Sequence, residues 1–169
     1  MVSTMIVHVI GIAALSSILV AVMIHTSMIT NVMIRDNIKR VLEEAASSIA
    51  LQVRYAINAK TNLTLSLDYP VLISKDRAYN IYIGTGKTIH NMFTWTNIPS
   101  DNNIYVFVIE PRSNVYVYEE ICPQYYNNYK IMLTQDPAII GSTIASVLRV
   151  EVLGYNITLS IEKGEVVLH

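Results

Sequence analysis

The sequence predicts an α+β protein, in which one long N-terminal helix, transmembrane in its first part, precedes a small antiparallel β-sandwich-like domain. Three observations carry that expectation. None of the twelve basic and thirteen acidic side chains precedes Arg35. The first aromatic residue is Tyr55, the first proline is Pro70, and Gly11 is the one glycine before Gly84, so the opening holds almost no helix breaker. After Asn62 the apolar period falls from about 3.6 to 2, the change from helix to strand. The expected division is a helix over 1–59 and a β-domain over 60–169.

Met5 to Ile24 is the most apolar stretch, and as a helix its twenty residues rise about 30 Å, one bilayer core. It reads as membrane-embedded. No charged side chain stands before it and no small-x-small site follows at Val22 to His25, so it is expected to be retained rather than cleaved as a secretory signal. From 34 to 58 the helix turns amphipathic. Ile38, Val41, Leu42, Ala45, Ile49 and Val53 recur at three- and four-residue steps and are expected to pack on the β-domain. Asp36 with Arg40 and Lys39 with Glu43 stand four apart on the other face.

Strands are expected at Leu63 to Leu67, Tyr79 to Ile83, Ile104 to Ile109, Val115 to Tyr118, Tyr129 to Leu133, Val147 to Leu153, Ile157 to Ile161 and Val166 to Leu168. All eleven tyrosines except Tyr55, and all five prolines, lie beyond residue 60. Gly154 to Asn156 reads as a tight hairpin turn, with Leu148, Val150 and Val152 facing Ile157, Leu159 and Ile161. Met92 to Thr96 reads as strand-like.

Composition explains which functions are excluded. The chain is 52% hydrophobic and 15% charged, with a mean hydropathy of +0.39, too oily for a wholly water-exposed surface. A net charge of −1 offers no basic field for nucleic acid. The single cysteine excludes an intrachain disulfide. No metal and no other cofactor is expected, because His8, His25, His90 and His169 lack ligand spacing. Gly84-Thr85-Gly86-Lys87-Thr88 ends like a phosphate loop, but Ile81 stands where its first glycine is required, and a hairpin turn is expected instead. Cys122, with no histidine nearby, reads as a loop thiol, and no catalytic constellation is found.

Two recognition features remain. Tyr125, Tyr126 and Tyr129 form a candidate contact loop, since tyrosine offers amphipathic area at low entropy cost. Asn62-Leu63-Thr64 and Asn156-Ile157-Thr158 match the glycosylation acceptor pattern. Thirteen asparagines among 25 Ser and Thr predict about two such matches by chance, so the motif by itself decides nothing.

An uncharged apolar helix running without interruption into an amphipathic half and then a β-domain resembles archaeal type IV pilins and pilin-like proteins. Ser3-Thr4-Met5-Ile6-Val7-His8-Val9-Ile10 is similar to the start of archaellum accessory proteins. The resemblance implies a non-enzymatic envelope protein, either a filament subunit or an accessory anchor. Its partners would be membrane lipid, copies of itself or other envelope proteins, and its β-domain would lie outside the cell. Val7, Ile10, Gly11, Ala14, Ser17, Ile18 and Ala21 are then the candidate helix-to-helix residues, the small ones permitting close approach. Arg35, Lys39 and Arg40 follow the apolar stretch, and by the positive-inside rule they would instead favour a cytoplasmic β-domain. A membrane-anchored binding module using the tyrosines is the alternative function.

Overall fold

The computed structural model describes residues 2–67, 69, 77–141 and 146–163, with the backbone alone at 2–5, 141 and 163. The fold is α+β, with one long N-terminal helix and two strand sheets. Helix α1 spans Val2–Ala59, and contacts divide the chain into two compact units, Met1–Asn37 and Ile38–His169.

The first unit is helix alone. Every side chain from Ile6 to Asn37 is exposed. Its hydroxyls are satisfied internally: Ser17 donates to the Ala13 carbonyl at 2.9 Å, Thr26 to Val22 at 2.8 Å and Thr30 to Thr26 at 2.9 Å. Such back-bonding lets a polar side chain sit in an apolar environment without an unpaired donor.

In the second unit α1 becomes core. Ile38, Leu42, Ala45, Ala46, Ile49, Ala50, Val53, Ala56 and Ile57 are buried, and Val41 is half-buried. The helix stops where Lys60 turns left-handed at φ 51°, its N–H donating to the Ile57 carbonyl at 3.2 Å.

The strands follow as β1 (Leu63–Leu67), β2 (Asn80–Thr85), β3 (Ile104–Glu110), β4 (Val115–Cys122), β5 (Tyr125–Tyr126), β6 (Tyr129–Leu133), β7 (Ala138–Gly141), β8 (Ser146–Leu153) and β9 (Asn156–Lys163), with a short helix α2 (Gly86–Met92) after β2. One sheet has the order β1-β8-β9-β6-β5 and the other β4-β3-β2-β7. All pairings are antiparallel except β6 with β9. The β8–β9 hairpin pairs Val152 with Ile157, Val150 with Leu159 and Leu148 with Ile161. Its turn places Gly154 first at φ +63°, the position where that turn type takes glycine.

Side chains from both sheets meet α1 in a single cluster. Leu148, Val150, Ile157 and Leu159 come from one sheet, and Ile81, Ile83, Val106 and Val108 from the other. Strand β3 is buried at all seven positions because its other face is covered too. There Ile89, Ile98, Tyr105, Phe107 and Ile109 form a second cluster, flanked by Tyr82, Phe93, Tyr116 and Tyr118.

Three expectations need correction. Gly84 to Thr88 is no hairpin turn: β2 runs straight into α2, whose cap is Thr85. Met92 to Thr96 is no strand, since α2 ends at Met92 and Thr96 closes a turn onto the Phe93 carbonyl through its N–H at 2.9 Å and its hydroxyl at 2.7 Å. Cys122 is not in a loop but ends β4, buried. The expected strand Val166 to Leu168 lies outside the described residues.

Glu110, 1% exposed, organises the turn after β3. It accepts from the Arg112 N–H at 3.1 Å, the Ser113 N–H at 2.8 Å and the Ser113 hydroxyl, and stands 3.8 Å from the Arg77 guanidinium. Burial pushes its pKa up, but the Ser113 and Arg112 donors and Arg77 outweigh that and hold it below the ordinary carboxylate value. A pKa depressed by folding adds stability that is complete above the unfolded value of about 4.3 and is lost as pH falls through the folded one. The thermal midpoint will therefore drop on acidification below about pH 4.3, and Glu110→Gln will flatten that part of the profile while lowering the midpoint at neutral pH. An unchanged acid limb in the variant would show that Glu110 has no part in it.

Candidate assembly surface

The candidate assembly residues occupy one side of the first unit. Val7, Ile10, Gly11, Ala14, Ser17, Ile18 and Ala21 recur at three- and four-residue steps, so the helix lines them up as a stripe. Val7 is 64% exposed, Ile10 63% and Ile18 61%, so nothing within the first unit covers them. A Cβ added at Gly11 would meet nothing within 4 Å, so no contact within the first unit demands glycine there. Beside the stripe, Ser16, Ser17, Val20, Ala21 and Ile24 line a shallow hollow.

Apolar exposure does not stop at Ile24. Met28, Ile29, Val32, Met33 and Ile34 are all exposed, Val32 at 57%. At 1.5 Å per residue, the uncharged run Val2 to Ile34 rises about 50 Å, against a hydrocarbon core of about 30 Å. This helix is long and apolar enough to cross a membrane.

The expected helix-to-domain residues all belong to the second unit. Ile38, Leu42, Ala45, Ile49 and Val53 lie in its main core cluster, with Val41 half-buried. A polar clasp, unforeseen from the sequence, joins the same helix to β4. The Ser47 hydroxyl donates to the Glu119 carboxylate at 2.7 Å. Arg54 donates to the Ile121 carbonyl at 2.8 Å and to the Glu120 carbonyl, and stands 3.6 Å from Glu119. Strand β4 is a sheet edge, and its pairing with β3 shifts register beside Ile121. Arg54 thus supplies donors to edge carbonyls that have no neighbouring strand among the described residues.

Beside this clasp, Arg54, Ile57, Asn58, Glu120, Ile121, Cys122, Pro123 and Tyr126 line a cavity of about 320 Å³. Burial, with Glu120 adding to it and Arg54 opposing, pushes the Cys122 thiol up to about 12. At neutral pH it is a protonated, unreactive thiol. Among the described residues no group of three or more His, Cys, Asp or Glu could hold a metal ion.

The glycine-rich string has a packing role. Asp136 accepts from the Thr85 N–H at 2.9 Å, the Thr85 hydroxyl at 2.7 Å and the Thr88 hydroxyl at 3.0 Å. These donors of the string are thereby satisfied within the fold.

Tyr125 and Tyr126 pair with Lys130 and Tyr129 across a two-residue turn, Asn127-Asn128, both residues left-handed at φ 50° and 68°. The candidate contact loop is therefore a β-hairpin. Tyr125 is exposed, whereas Tyr126 and Tyr129 pack partly on the core and Lys60 stands 5.4 Å from the centre of the Tyr129 ring. Asn62 and Asn156 are both exposed. Sequence patterning also gave no sign of the ladder Tyr82–Phe93–Trp95–Tyr116, whose successive ring centroids lie 5.2, 6.3 and 5.2 Å apart, leaving Trp95 half exposed.

No family model, curated protein or solved structure matches the chain. Its surfaces therefore carry the functional argument.

Proposed function

We propose that the chain is a non-enzymatic, pilin-like subunit of an archaeal surface filament, its helix bundled with copies of itself and its β-domain outside the cell. The observation that carries this reading is the length of the bare apolar helix. A single span tilted by 40°, the steep end of the usual range, takes up about 26 residues in lipid. On the order of seven uncharged residues of the run from Val2 to Ile34 would still project from the bilayer, Met28, Ile29, Val32, Met33 and Ile34 among those nearest its charged end. Neighbouring helices would bury both this segment and the stripe from Val7 to Ala21. Gly11, Ala14 and Ser17 would let their backbones approach, and dispersion contacts would supply the attraction. Resemblance to archaeal pilin-like proteins supports the external placement, while Arg35, Lys39 and Arg40 weigh against it.

Val32→Glu separates a bundle from a single anchor, because it lies beyond the twenty residues that lipid needs. Shearing intact cells is expected to release the wild-type chain with the filaments and to leave Val32→Glu in the membrane. Wild-type chain that stays in the membrane, with a protease-sensitive β-domain, would make it an accessory anchor instead. Protection of the β-domain in intact cells would put it in the cytoplasm and end the filament reading.

A further inference from the structure

Two acceptor motifs far apart in sequence fall on one face of one sheet. Strand period 2 puts Thr64, in β1, and Thr158, in β9, on the side opposite the core-facing Leu65, Ile157 and Leu159. Between those strands lies β8, whose Glu151 pairs with Thr158, while Asn156 pairs with Leu153. The Asn62 side-chain carbonyl accepts from the Val152 N–H at 2.7 Å, which pins Asn62 to the same end of β8. The two acceptor asparagines therefore flank one strand, about 10 Å apart across the sheet and offset by about two residues along it. Both are exposed, and each has its hydroxyl partner two residues on. None of the other eleven asparagines has a Ser or Thr at that spacing.

We infer that Asn62 and Asn156 are both N-glycosylated, making this face of the β1-β8-β9 sheet a glycan-bearing surface; the inference rests on the reading that the β-domain lies outside the cell. In the transfer, the side-chain Nδ2 bonds to the anomeric carbon of an oligosaccharide held on a polyprenyl phosphate or pyrophosphate. The bond from that carbon to the phosphate oxygen breaks, its electron pair stays with the phosphate, and the amide proton is lost to solvent or carrier. At Asn62 the geometry suits this product, because the hydrogen bond to Val152 uses Oδ1 and survives substitution at Nδ2. The face carries exposed Glu151 and the pair Arg149 and Glu162, 3.6 Å apart, and beside Asn156 it also exposes its strand partner Leu153 and the turn residue Tyr155, at 70% and 78%, so a sugar there would cover apolar surface that the fold leaves bare.

The test is the intact mass of the full chain purified from the cells that express it. The expected mass exceeds the 19.0 kDa chain by two oligosaccharide increments. Thr64→Val removes one increment and Thr158→Val the other, while each variant keeps its asparagine and its β-branched side chain. Unfolding midpoints close to wild type establish that the loss is not misfolding. A bare chain whose β-domain is cleaved by protease on intact cells overturns glycosylation and leaves the external placement standing. A bare chain with a protected β-domain overturns both. Increments that persist in the double variant overturn the assignment to these two sites.

Discussion

A chain shortened to residues 38–169 will unfold as one cooperative unit, whereas a chain shortened to 60–169 will show no cooperative transition. The sequence suggests cutting where helix gives way to strand, at residue 59, but that cut removes nine buried residues of α1 from the main core. Five of them, Ile38, Leu42, Ile49, Val53 and Ile57, are large side chains worth about 2 kcal/mol each on burial. Their loss, about 10 kcal/mol, equals the whole stability of an ordinary domain. It would also lay bare the inner faces of both sheets. Urea unfolding followed by far-UV circular dichroism separates the outcomes. A sigmoidal transition for 60–169 with the slope of 38–169 would mean that the sheets form a core without the helix.

Gly86→Ala is the second change with a large effect. Helix propensity alone would favour alanine by about 1 kcal/mol. Sterics oppose it: an added Cβ would lie 2.4 Å from the Pro99 carbonyl oxygen, 2.7 Å from Asp101 Oδ1 and 2.9 Å from the Tyr105 ring. The closest of these is backbone, and the segment that follows it is held to α2 by the Lys87 N–H donating to the Asp101 carbonyl at 2.7 Å and the Gly86 N–H to that of Asn103 at 2.9 Å, so the segment has little room to yield. A loss of about 3 kcal/mol is expected, read as a lower urea midpoint. Gly11→Ala serves as the control. It gains a helix-favouring residue in open space and should leave the midpoint where it was.

The long helix was legible because its signals repeat over 58 residues, and α1 runs from Val2 to Ala59. The β8–β9 hairpin was equally legible: alternation on either side of Gly154 sets its register residue by residue. Helix α2 was not. Its seven residues are too few for a period, and its cap depends on Asp136, 51 positions beyond Thr85. Strand β7 is four residues long, and β6 pairs with β9 in parallel, a pairing that no local turn announces. The stripe on the first half of α1 could be named from spacing. The Arg54 clasp could not, since its acceptors are backbone carbonyls 66 and 67 residues away. Patterning identifies apolar faces, but it does not say which polar side chain meets which strand edge.

Because the second half of α1 is itself core, the helix from Ile38 onward is part of the β-domain rather than a stalk attached to it. Force applied along the helix enters the β-domain through Ile38, Leu42, Ala45, Ile49 and Val53, each held by side chains of the sheets. To pull the helix free, all these contacts must slide together, with Arg54 leaving the β4 carbonyls at the same moment. Load is shared in parallel rather than borne bond by bond, so such a domain resists steady drag and, past its limit, gives way in one step.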